Sequence, residues 1–250
     1  MNELLDAYCE RTGPGWWQEP ANTLSNVAFF LAAVAAARRF RESPDLRLSN
    51  GWDLALLIVL IFAIGIGSTL WHLLATRWAA LADEIPILLF ISVFLPSFLH
   101  RIGALPLSWT LFWLALFQVS NFVLRSLIPP DVLNGSLFYG PAWVTLGLLV
   151  AWLGLRGSPL WREFAWIWAL FTLSLALRTG DVSVCEAWPV GTHFLWHLLN
   201  AVVLYRLVTA LVREAACAPA AQPRQGGVHH GTDFGARAGH GRNAGTGGGA

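Results

Sequence analysis

Long apolar runs alternate with short polar breaks along the whole chain up to about residue 212. Seven runs are long enough to cross about 30 Å of hydrocarbon as helices. They cover roughly 23–40, 52–74, 79–99, 105–124, 136–155, 159–177 and 190–212. In lipid an apolar run of this length must satisfy its own backbone, which a helix does. The pattern predicts an all-α polytopic membrane protein, a seven-transmembrane-helix bundle. Pro86 and Pro141 fall inside runs and are expected to kink their helices. Only Arg156-Gly157-Ser158-Pro159 separates the fifth and sixth runs, so those two should form a helical pair. The pattern divides the chain into an arm (1–22), a helical body (23–212) and a tail (213–250). The tail is Ala, Gly and polar residues, cannot build a core, and is expected to be disordered.

Composition agrees with the membrane reading. The chain is 56% hydrophobic and 12% charged, with a mean hydropathy of +0.55. That balance excludes an ordinary soluble domain. The net charge of +1 gives no reason to expect a nucleic-acid partner. Residues 1–21 carry Glu3, Asp6, Glu10 and Glu19, the wrong charge for a signal-peptide n-region, so no cleavable leader is expected. Many of the 14 Trp sit near run ends, as Trp16, Trp17, Trp78 and Trp188 do, where interfacial aromatics are favoured.

All 16 basic residues are Arg, and they set an orientation. Arg38, Arg39, Arg41 and Arg47 surround the first loop, Arg101 the third, Arg156 and Arg162 the fifth, and Arg206 and Arg213 the C-terminal flank. The opposite side carries Arg11, Arg77, Arg125 and Arg178. The bias places the C-terminus in the cytoplasm and the N-terminus outside it.

Ionisable groups within apolar helices are costly and mark paired, metal-bound or functional sites. His193 and His197 share one face of the last run. His72 ends the second run, four residues after Ser68, and Asp83 lies early in the third. With alternating topology all five groups reach one depth, just inside the outer leaflet. A hairpin centred near Arg77 would set His72 beside Asp83. Three imidazoles and a water are a ligand set for catalytic zinc. Asp83 could then hold the water or orient a histidine, and Ser68 could donate to a developing oxyanion. Each residue also has a plainer reading: a packing histidine, a helix N-cap at Asp83, a packing serine after Gly65 and Gly67. The tail histidines His229, His230 and His240 are read as solvated residues. Of the three Cys (Cys9, Cys185, Cys217) none forms a CxxC pair, which disfavours cysteine-ligated zinc.

The ordered set Ser68-x-x-x-His72, Asp83 and His193-x-x-x-His197 resembles the alkaline ceramidases, part of a larger group of seven-span hydrolases that includes the adiponectin receptors. Tyr8-Cys9-Glu10 and Glu19-Pro20-Ala21-Asn22-Thr23-Leu24-Ser25-Asn26 resemble the acidic start and the E-x-x-N-T-L-S-N entry to the first span. The resemblance covers about residues 6–212. It implies that His72, His193 and His197 bind zinc, that Asp83 assists proton transfer and that Ser68 stabilises the oxyanion. The implied reaction is hydrolysis of the ceramide amide to a sphingoid base and a fatty acid by a zinc-activated water. It also implies a calcium site in the arm, where Glu10 and Glu19 match two acidic ligands. Asp6 is one residue out of place, and Thr12 stands where asparagine is expected. A link from the family's arm corresponds here to a Cys9–Cys185 disulfide, both residues lying on the oxidising side by the topology above.

Three other readings compete. The same chemistry could serve another N-acyl lipid or an ester lipid. A seven-transmembrane receptor or sensor with structural zinc would keep the histidines, with less need of Ser68 and Asp83. A transporter would want polar groups along the whole path, whereas here they cluster near one face. Oligomeric state is not readable.

Overall fold

The computed structural model describes residues 8–129 and 131–217. Among them there are helices and turns and no strand. The helices are α1 (Pro20–Ser25), α2 (Val27–Glu42), α3 (Leu48–Leu74), α4 (Arg77–Arg101), α5 (Leu107–Leu127), α6 (Gly140–Leu155), α7 (Leu160–Gly180) and α8 (His193–Cys217). Taking α1 and α2 together as Pro20–Glu42, seven segments are long and apolar enough to span a membrane. Each long helix packs on its neighbours in the chain, and α2 packs on α8, so the seven close into a ring. Short α1 crosses the end of that ring against α3 and α8.

The interior is large and apolar: Leu54, Leu57, Ile61 and Ile64 of α3, Phe90 and Phe98 of α4, Phe164 and Ile167 of α7, and Val208 and Leu211 of α8. In lipid such contacts act through close packing more than through exclusion of water. α5 buries only Thr110 and Phe117 and turns Leu111, Phe112, Val119 and Phe122 outward, as a lipid-facing helix should. At the end away from the histidines, Arg101 grips both oxygens of Asp53, and Ser97 also donates to Asp53. This locks α3 to α4 with a bidentate charged pair.

Several details depart from the sequence pattern. Pro141 does not kink a helix: it lies in the first turn of α6, where its fixed φ and missing N–H cost nothing. Pro86 lies within α4 as expected, together with Pro96. The non-helical residue within a long helix is Gly51 of α3 (φ −131°, ψ 26°). The α3–α4 turn is centred on Ala75 and Thr76, not on Arg77, which already belongs to α4. The last helix runs through Cys217, beyond the expected tail boundary at 213. Its Glu214-Ala215-Ala216 stretch is good helix sequence, and Arg213 pairs with Glu163 of α7. Asp6, His229, His230 and His240 lie outside the described residues.

The moved turn fixes what faces what across α3 and α4. A Cβ added at Gly67 would land on the Ala82 carbonyl and 3.0 Å from the Asp83 Cα. The backbones touch there, so Asp83 sits level with Gly67 and Ser68, one turn deeper than His72. Gly67→Ala should therefore push α4 away, costing about 1–3 kcal/mol as overpacking does. Gly154→Ala, where an added Cβ meets nothing within 4 Å, should be neutral. Melting temperatures of the two variants in detergent test the contrast; equal values would refute the close contact.

Candidate metal centre

The three histidines converge from two helices. His72 ends α3, and His193 and His197 open α8 on one face. All are buried, and one ligating atom from each lies within 4.8 Å of the others.

Hydrogen bonds orient the imidazole rings. The Nδ1 of His72 is 2.5 Å from Oε2 of Glu19, so a neutral His72 carries its proton on Nδ1 and donates to the carboxylate. Ser25 donates its hydroxyl to the Asn22 carbonyl at 2.8 Å, and its Oγ lies 2.7 Å from Nδ1 of His197. With its own proton on Asn22, Ser25 accepts from the Nδ1–H tautomer of His197. The Nε2 atoms of His72 and His197 face each other at 3.1 Å, and in that tautomer both are free to bind an ion. Two buried lone pairs at that distance repel unless a proton or a cation lies between or beside them. His193 adds another nitrogen to the cluster, and its Nδ1 is buried with no hydrogen-bond partner. Three converging imidazoles can hold a metal ion. Among the described residues this is the one group of histidines, cysteines and carboxylates arranged to hold a metal.

The other expected site residues fall into two sets. Ser68 and Asp83 both come to the histidines: Ser68 Oγ is 3.4 Å from Nε2 of His197, and Ser68, Asp83 and His197 line one apolar cavity. Asp83 stands in the second turn of α4, past the N-cap position, which Thr76 occupies. Glu10 and Glu19 lie in the arm, and both carboxylates accept hydrogen bonds. Both oxygens of Glu10 accept backbone N–H groups at the start of α1, from Ala21 at 2.6 Å and Asn22 at 2.8 Å. Burial pushes its carboxyl above the usual range even so. Glu19 is buried and accepts from Arg11, Asn22 and His72. Burial alone would raise its pKa, but these donors outweigh it and hold the carboxyl below its ordinary value.

Cys9 and Cys185 are joined by a disulfide, which ties the arm to the segment before α8. Beside it lies Asp181, fully buried and not evident from the sequence. It accepts the backbone N–H groups of Cys9 (3.1 Å), Thr192 (2.6 Å) and His193 (2.8 Å), and so fixes the start of α8 where His193 stands. Gly191 (φ +68°) has no room for a side chain between Asp181 and Cys9. Tyr8 of the arm stacks on His193 with ring centroids 3.8 Å apart. Glu19, Ser25 and Asp181 are ordinary polar residues in ordinary spacing. Only Glu19 and Ser25 carried a signal, as part of the entry motif to the first span.

Two cavities meet at the cluster. The outer one is about 490 Å³ and partly polar, with Asp83, Glu84, Asn121, Arg125, Arg178 and His193 in its wall. The inner one is about 90 Å³ and almost wholly apolar, running from Ser68, Asp83 and His197 along Phe29, Phe90 and Leu207. A molecule with a polar end and an aliphatic chain would span both, passing the histidines at their junction.

A direct search of curated proteins finds no match to the chain. The family comparison agrees with the seven-helix ring: the Ceramidase model matches residues 16–230, and the chain belongs to that family.

Proposed function

We propose that the protein is a zinc-dependent hydrolase of a lipid amide within the membrane, with ceramide as its first substrate. The observation that carries the reading is the convergence of three buried histidines, with Nε2 of His72 and His197 3.1 Å apart beside His193. His72, His193 and His197 would hold the ion. When bound, zinc supplies Lewis acidity toward a carbonyl and makes water a nucleophile near neutral pH.

The chain's own groups do the rest. Glu19 and Ser25 orient His72 and His197 through their Nδ1 atoms and leave Nε2 free, the usual outer support of metal-binding imidazoles. Asp83 takes a proton from the attacking water and gives it to the departing amide nitrogen as the C–N bond breaks. Ser68 donates to the carbonyl oxygen as charge develops there. The apolar cavity takes an aliphatic chain and the outer cavity the hydroxyl-bearing end. The arm would be an extracytoplasmic cover, the body the catalytic domain and the tail cytoplasmic. The arginine bias and the Cys9–Cys185 disulfide, which belongs on an oxidising side, support that orientation.

The test is release of fatty acid from ceramide by the purified protein, followed by mass spectrometry before and after metal is stripped and zinc restored. Hydrolysis should vanish on stripping and return with zinc. Hydrolysis of another N-acyl lipid or an ester lipid alone would move the substrate. Zinc-loaded, folded protein that cleaves none of them would overturn the enzyme reading in favour of a receptor with structural zinc.

A further inference from the structure

The resemblance leads one to expect a calcium ion in the arm, and the residues present do not fit one. Calcium takes six to eight oxygens. Both oxygens of Glu10 are committed to backbone N–H groups, and both of Glu19 to side-chain donors. At the centre stands a cation that belongs to the chain. Arg11 is 7% exposed. Its Nε lies 2.6 Å from Glu19 Oε1, its Nη1 3.4 Å from the Gly13 carbonyl and 3.3 Å from that of Gly15, and its Nη2 2.9 Å from the His72 carbonyl. One carboxylate and three carbonyls therefore point at one positive charge, the oxygen-rich surroundings a hard cation would demand.

We propose that the Arg11 guanidinium is the resident cation of the arm, in the place where a calcium ion would otherwise fasten it, and that this protein docks its arm without calcium. The geometry favours a guanidinium. Its planar fork sends N–H groups in several directions at once, which suits oxygens arriving from the arm, from Glu19 and from the end of α3. The His72 carbonyl belongs to the last turn of α3, where the helix dipole is negative and a cation is favoured. A second, divalent charge beside the guanidinium would be strongly repelled. Arg11 is thus a positioning residue: it holds Glu19, and Glu19 holds the His72 ring. An arginine is charged at any working pH and cannot be diluted away, so the arm's docking is independent of the calcium concentration around it.

The inference takes from the family resemblance only its expectation of calcium. It does not rest on the hydrolase reading, and its test reads no activity. Calcium-free, full-length wild-type protein in detergent is titrated with calcium chloride up to about 1 mM, the weak end of extracellular calcium sites. Calorimetry reads binding, and hydrogen exchange reads the protection of residues 8–19. The wild type should show no saturable binding and an equally protected arm throughout. Arg11→Asn removes the charge and offers an oxygen. Its arm should lose at least about tenfold in protection without calcium and recover it when calcium is added. Saturable binding with added protection in the wild type would overturn the proposal. So would an Arg11→Asn arm that stays protected without calcium, or one that calcium cannot restore. Should Arg11→Asn fail to fold without calcium, expression and purification in calcium should yield folded protein. Failure there too counts against the cation role, and the wild-type titration still decides the calcium question.

Discussion

His197→Ala should empty the metal site and leave the fold standing. Wild-type protein should carry about one zinc per chain and the variant close to none, because two imidazoles do not make a tight zinc site in water. His197 is a buried ring packed on His72, His193 and Phe29, so its truncation should cost some stability without unfolding the bundle. Its Nδ1 bonds Ser25, which keeps its own bond to Asn22, and its ring touches Phe29 edge-on. Metal-free wild type should therefore melt lower than zinc-loaded wild type, since a ligand bound only by the folded state stabilises it. Zinc should raise the melting temperature of the wild type and leave that of His197→Ala unchanged. Elemental analysis with melting curves on the four samples checks this. Full zinc occupancy in the variant would refute the three-histidine site.

The histidines were legible because they are rare: an imidazole in an apolar helix has to be explained, and an i, i+4 pair at the start of the last run is hard to explain by packing alone. The helices were legible for the reason given by lipid itself, that only a helix satisfies backbone groups over such a run. What the chain alone could not disclose is how its acidic residues are spent. Glu10 and Glu19 read as calcium ligands only through the resemblance, whose acidic ligands they match. The structure puts backbone N–H groups on one and Arg11 and His72 on the other. Nothing in the spacing of Arg11 and Glu19 says that the arm folds back far enough to reach the end of α3. Asp181 was hidden in the same way, since its three partners come from the arm and from α8. The turn between α3 and α4 was misplaced because its left-handed residue is Ala75 (φ 45°), not a glycine or asparagine that would have marked it.

That turn decides the second prediction. Asp83→Asn should keep its metal and lose turnover by about 10²–10⁴-fold, the usual worth of a positioned acid–base group. Asp83 is not among the three ligands, and the change is isosteric, so neither the zinc content nor the packing of α4 on Gly67 should move. What changes is proton capacity. An amide side chain can still occupy the junction of the two cavities that Asp83 lines, and can still hydrogen-bond a substrate there. It cannot accept a proton from water or hand one to an amine leaving group. The loss should therefore fall on kcat, with KM for the lipid little changed, the pattern of an interaction used only in the transition state. Ser68→Ala should act more weakly, by removing a single donor to the oxyanion. The measurement is kcat, KM and zinc content of wild type and Asp83→Asn, side by side. Unchanged kcat would remove Asp83 from the chemistry. Loss of zinc along with kcat would make it a metal ligand or its support instead. Retained zinc with kcat lost would give Asp83 the proton-transfer role, and only the carboxylate, not the position, would then distinguish this site from one that merely stores a metal.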